Sequence, residues 1–123
     1  MLLYWLDVRL ARVGLIVAAL AITTLALMPG PDVPITTSWD KLDHWTAFFT
    51  LAFLANHSFP RLPFWRAIAL ALVAYGIGIE IAQSFTPTRD ADPLDVVADS
   101  IGIVIYGAVL QLRLALFKPQ LAE

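Results

Sequence analysis

The sequence predicts an all-α integral membrane protein, a four-helix bundle with its N- and C-termini in the cytoplasm. Three observations predict it. The chain of 123 residues is 59% hydrophobic, more hydrocarbon than a soluble domain of this size can hide. Its apolar residues fall in four runs that proline separates. Its basic residues gather on one side of those runs and its acidic residues on the other. The runs lie at about residues 13–28, 43–59, 64–85 and 94–117, and residues 1–123 read as one transmembrane domain.

A helix needs about 20 mostly apolar residues to cross about 30 Å of hydrocarbon. The first run, Val13 to Met28, belongs to an uncharged stretch that reaches Pro31, and Pro29, Pro31 and Pro34 end it. Arg9 and Arg12 precede it as in a secretion signal, but no small-residue cleavage motif follows, so it reads as a retained helix. The second run, from about Asp43 to Phe59, stops at Pro60. The third, from about Phe64 to Phe85, stops before Pro87, and the fourth follows Pro93 and closes at Phe117.

Topology follows from charge. Arg9, Arg12, Arg61, Arg66, Arg113 and Lys118 fall on one side, with only Lys41 and Arg89 on the other. The richer side is cytoplasmic by the positive-inside rule, which places the protein in the inner membrane as a multi-pass chain. Tyr4, Trp5 and Trp65 suit the inner interface, and Trp39 and Trp45 the outer one. A net charge of −2 excludes a nucleic-acid partner. The absence of cysteine excludes disulfides and thiolate metal sites.

Eight of the ten acidic residues fall on the outer side: Asp32, Asp40, Asp43, Asp90, Asp92 and Asp95 in loops or helix ends, Glu80 and Asp99 within apolar runs. At about 1.5 Å of rise per residue, Glu80, Asp99 and His44 each lie about 9–10 Å below the outer loops. Three helices thus place an ionisable group in one layer. Spacing puts each group on a single stripe: Gly76, Glu80, Gln83 and Pro87; Asp92, Asp95, Asp99, Gly102 and Tyr106; Asp40, His44 and Phe48. A charge at the centre of a spanning helix costs at least about 2.5 kcal/mol, so these stripes are expected to face one another, with the first helix shielding them from lipid. Glu80 and Asp99 would be offset by Lys41, Arg89 or protonated His44. Asp92 has a structural role as well: it precedes Pro93 and stands three residues before Asp95, the pattern of a helix cap. His57, far from this layer, reads as interfacial, and Tyr106 as packing.

Asp40, Lys41 and His44, then Glu80 and Gln83, then Pro87 and Arg89, then Asp92, Asp95, Asp99 and Gly102 occur in an order and spacing that resembles the VanZ-like family. That family of small membrane proteins is named for one linked to teicoplanin resistance. The resemblance extends over residues 13–115 and implies four membrane helices with an outward polar face. At Asp99 the chain departs from the family's pattern, where asparagine is expected. The resemblance implies no reaction.

Candidate ligand-binding residues are Asp40, Lys41, His44, Glu80, Gln83, Arg89, Asp92, Asp95 and Asp99. In the first functional reading they bind a lipid headgroup, a cell-wall precursor or a glycopeptide at the outer face of the cell envelope. Lys41, His44 and Arg89 meet phosphate while the carboxylates orient them. In the second, His44, Glu80 and Asp99 carry catalysis on a phosphorylated isoprenoid lipid, with Glu80, Asp95 and Asp99 as ligands for Mg2+ or Ca2+. In the third, the chain conducts protons or a small solute, although its polar stripes stop short of the inner side.

Overall fold

The computed structural model describes residues 2–29, 40–87 and 90–117, with side chains from residue 7 in the first stretch and from residue 41 in the second. Asp32, Trp39, Arg89, Lys118 and the side chains of Tyr4, Trp5 and Asp40 lie outside the described residues.

Four α-helices follow in order: α1 (Leu2–Leu27), α2 (Asp40–Ser58), α3 (Ala69–Gln83) and α4 (Pro93–Leu116). A π-helical turn, Phe64–Ile68, leads into α3. Two boundaries differ from expectation. Helix α1 begins eleven residues before its apolar run, because no glycine or proline interrupts residues 2–13. Hydropathy marks where lipid begins, whereas only the backbone decides where a helix begins. Helix α2 likewise takes in Asp40, Lys41 and Asp43 as its first turn. Among the described residues Asp7–Leu27, Phe64–Gln83 and Pro93–Leu116 are long and apolar enough to cross a membrane. Helix α2, with its charged first turn, does not reach that apolarity.

Helix α2 packs most extensively on α4 and next on α1, and α3 closes against α4. The core is apolar: Phe48, Leu51 and Ala52 of α2 meet Ile68, Leu72 and Ile79 from the third segment and Ile103 and Tyr106 from α4. Leu15, Ala18, Ala19 and Ile22 cover it from α1. The outward faces are apolar too. Leu20, Leu70, Ile81, Val104 and Leu112 are each more than half exposed, as expected of surfaces that meet acyl chains rather than water.

Polar contacts fix the seams. Gln83 Nε2 donates to the Ala26 carbonyl at 2.8 Å, satisfying an acceptor in the last turn of α1. Tyr75 hydroxyl donates to the Ala19 carbonyl at 3.2 Å and is bonded to Thr23. At the opposite end Arg12 donates to the Ser58 carbonyl at 3.1 Å and lies over the Phe59 ring. Asn56 donates to the Tyr106 hydroxyl at 3.0 Å, so Tyr106 packs and accepts a bond.

The α2–α4 seam requires a glycine. A Cβ at Gly102 would stand 2.3 Å from the Trp45 carbonyl oxygen, a backbone atom that cannot move without displacing α2. Gly102→Ala is therefore expected to destabilise the protein by about 1–3 kcal/mol. Gly78, where a Cβ meets nothing within 4 Å, serves as control: Gly78→Ala should be neutral or stabilise by up to about 1 kcal/mol. Thermal melting of both variants in detergent checks the contrast.

Candidate functional site

The site forms where α2, α3 and α4 meet, at the end of the bundle that carries the α3–α4 loop. Local sequence places each group. Asp92 caps α4, its Oδ1 accepting from Leu94 N–H at 2.9 Å, and Pro93 occupies the first helical position. That start sets the register of α4, so Asp95, Asp99, Gly102 and Tyr106 fall on its buried face. Glu80 stands on the buried face of α3 beside Gly76, Ile79 and Gln83.

Lys41 bridges α2 to α4, donating to Asp92 Oδ2 at 2.8 Å and to Asp95 Oδ1. His44, one turn further along α2, bonds through Nδ1 to Asp99 Oδ1 at 2.9 Å. Its Nε2 lies 3.4 Å from Asp95 Oδ2. Asp99 is 1% exposed, Asp95 4% and Glu80 7%, so all three carboxylates are withdrawn from lipid and water. The α3 backbone closes on Asp99: a Cβ at Gly76 would lie 2.8 Å from its Oδ2. Glu80 Oε2 accepts from Asp92 N–H at 3.0 Å, while its Oε1 is buried without a hydrogen-bond partner. One ligand atom from each of His44, Glu80 and Asp95 lies within 4.8 Å of the others.

The expected layer of His44, Glu80 and Asp99 is therefore drawn together, although two pairings differ from expectation. Lys41 neutralises Asp92 and Asp95 rather than Glu80, because it sits one turn above His44 and faces the first turn of α4. Asp99 bonds the Nδ1 side of the His44 ring, and the donor atoms gathered within 4.8 Å of one another are those of His44, Glu80 and Asp95. Gln83 is spent at the α1–α3 seam through its amide nitrogen, and its Oε1 is buried without a partner. Arg89 and the Asp40 side chain lie outside the described residues. His57 sits apart, bonded to the Phe53 carbonyl one turn back.

The sequence profile of the VanZ/LLP1 family matches residues 33–115. The chain belongs to the VanZ/LLP1 family. The match begins beyond α1, so the matched segment takes in residues 33–39 and α2 to α4, a narrower span than residues 13–115. The VanZ-family segment thus contains every residue of the cluster, while α1 supplies cover from outside it. No curated protein and no solved structure matches the chain.

Sequence reasoning missed two contributors. One is Trp45, whose indole Nε1 is buried without a partner beside an apolar groove of about 480 Å3 between α2 and α4. Lys41, Leu42, Trp45, Val97, Ile101 and Ile105 line this groove. An outer-interface tryptophan was legible, but the groove arises only from the α2–α4 crossing. The other is Ala26, whose carbonyl engages Gln83; no side-chain pattern signals a backbone acceptor.

Charge pairing sets a pH dependence. Asp92 is held below the ordinary carboxylate range, first by the hydrogen bond from Lys41 and then by that from Leu94 N–H. Lys41, ahead of the apolar part of α2, is held above its ordinary value by Asp92 and Asp95. A depressed carboxylate contributes stability above its unfolded value and loses it as pH falls through the folded one. Asp92→Asn keeps a good cap but removes the charge. The variant should melt below the wild type at neutral pH, and the difference should begin to shrink below about pH 4 and vanish once the pH has fallen through the depressed folded-state value. Melting curves of both proteins across that range check the sign.

Proposed function

We propose that this VanZ-family protein is a multi-pass protein of the bacterial inner membrane that binds an amphiphile with an anionic head at its outer face. The head belongs to a lipid or a lipid-linked cell-wall precursor. One observation carries the proposal: Lys41 belongs both to the buried polar cluster and to the lip of the apolar groove. A ligand with a charged head and a hydrocarbon tail meets both surfaces at once. The head lies against the Lys41 ammonium, which supplies a charge-assisted donor, with Arg89 expected beside it from its position in the sequence. The tail lies along Val97, Ile101 and Ile105 in place of a bilayer lipid. A glycopeptide antibiotic would use the same polar groups without needing the groove.

A second reading rests on the His44–Asp99 pair. A carboxylate bonded to one imidazole nitrogen fixes the ring and its tautomer, the arrangement that general bases use. In that case the bound amphiphile is also hydrolysed at its phosphate.

Native mass spectrometry of the purified protein tests these readings with phosphatidylglycerol, a polyprenyl phosphate, the corresponding polyprenol, and teicoplanin. The two phosphorylated lipids should bind at least tenfold more tightly than the polyprenol. Lys41→Met and Ile101→Trp should each weaken that binding by about tenfold, one through the head and one through the tail, about 1.4 kcal/mol apiece. Equal binding of polyprenol, or variants that bind like the wild type, would overturn the proposal. Binding of teicoplanin alone, untouched by Ile101→Trp, would reassign the site to the antibiotic. Release of inorganic phosphate from the polyprenyl phosphate, abolished by His44→Gln, would establish the hydrolytic reading.

A further inference from the structure

We infer that His44, Glu80 and Asp95 form a binding site for a divalent transition-metal cation of the zinc type. The inference stands apart from the amphiphile, since it depends only on the donor set inside the bundle.

The first observation is the buried oxygen of Glu80. The residue is 7% exposed, one carboxylate oxygen accepts from Asp92 N–H, and the other has no hydrogen-bond partner. An unsatisfied carboxylate oxygen in an apolar bundle costs free energy unless something positive meets it. Lys41 is engaged by the carboxylates of Asp92 and Asp95. The atoms gathered near Glu80 are instead His44 and Asp95, each presenting a ligand atom within 4.8 Å.

The second observation is the orientation of those two residues. His44 turns Nδ1 to Asp99 and presents Nε2 to Asp95 Oδ2 at 3.4 Å. Zinc binds imidazole nitrogen and carboxylate oxygen at about 2.0–2.2 Å, so two such ligands at a tetrahedral angle stand about 3.3 Å apart. The observed separation matches that edge. Asp95 is turned the same way, its Oδ1 held by Lys41 and its Oδ2 left towards His44. Both ligands are thus positioned by outer partners, Asp99 for the imidazole and Lys41 for the carboxylate. A carboxylate behind a ligating histidine is the recurrent outer shell of metal sites, where it fixes the ring and raises its basicity.

The imidazole donor selects the metal class. Mg2+ and Ca2+ take all-oxygen shells, whereas one nitrogen and two carboxylates suit Zn2+, with Mn2+ a weaker competitor. Three protein ligands leave a fourth position for water or an anionic oxygen.

The test uses the full-length protein in detergent, stripped with chelator and titrated with Zn2+, Mn2+ or Mg2+ against a chromophoric competitor. One Zn2+ per chain should bind, ahead of Mn2+ and far ahead of Mg2+, and Co2+ in its place should give the intense visible absorption of a tetrahedral site. Glu80→Gln and His44→Gln, both close in shape to the native residue, should weaken Zn2+ by more than a hundredfold. Asp99→Asn, which touches no metal, should weaken it by about 10–100-fold. His57→Ala, at the opposite end of α2, should leave it unchanged and verifies that the only other histidine is not the donor. Zinc should also raise the melting temperature of the wild type and not of Glu80→Gln. Absence of stoichiometric metal, unaltered binding in Glu80→Gln and His44→Gln, loss of binding in His57→Ala, or preference for Mg2+ would each overturn the assignment. Metal binding in lipid-free detergent separates this outcome from that of the amphiphile, which is read with phosphorylated lipid.

Discussion

The bond between His44 and Asp99, one turn inside the bundle, is the constraint on which the rest of the structure depends. A carboxylate at 1% exposure within hydrocarbon-clad helices is tolerated only where a donor meets it at hydrogen-bond distance. That bond pins α2 to α4 at a fixed depth. Lys41, one turn nearer the end of the bundle, repeats the link through Asp92 and Asp95. Two adjacent turns of α2 thus read two adjacent turns of α4, which sets the register of the pair and excludes sliding by a turn in either direction.

Close approach of backbones is the condition for those bonds. Gly102 lets α4 lie against the Trp45 carbonyl, and Gly76 lets α3 lie against the Asp99 carboxylate. In a membrane the hydrophobic effect does not drive helices together, and small residues at the contacts take over that role by permitting tight packing. Below the cluster Phe48, Leu51, Ile103 and Tyr106 fill the interior. Among the described residues the buried carboxylates therefore lie at one end of the bundle.

The VanZ/LLP1 segment coincides with the helices that build the cluster. Helix α1 stands outside the matched residues and is tied to α3 through Gln83 on Ala26 and Tyr75 on Ala19. Its outer face, with Leu10, Val13, Ile16 and Leu20 all exposed, is that of a lipid-facing cover. The matched segment holds the polar cluster, and α1 covers its flank. Beside the cluster, an apolar groove between α2 and α4 reaches Lys41, and His44, Glu80 and Asp95 gather within the same polar layer.

Much of this was legible in the chain itself. Proline spacing and apolar run length gave four helices, since proline removes a donor and hydrocarbon thickness sets a length. The common depth of His44, Glu80 and Asp99 followed from helical rise alone. The cap at Asp92 followed from the proline after it, and the buried stripe of α4 from residues three and four apart. Which group pairs with which was decided only by tertiary structure. Helical periodicity fixes a residue's face and depth but not the rotation of its neighbour. So Lys41 was free on paper to serve Glu80, Gln83 to face a ligand, and Asp99 to sit in front of His44. The crossing of α2 and α4 at Gly102 decided these pairings. It put Lys41 on Asp92 and Asp95, put Asp99 behind the imidazole, and opened the groove beside Trp45, because contacts between helices depend on interaxial distance and rotation that no single stripe encodes.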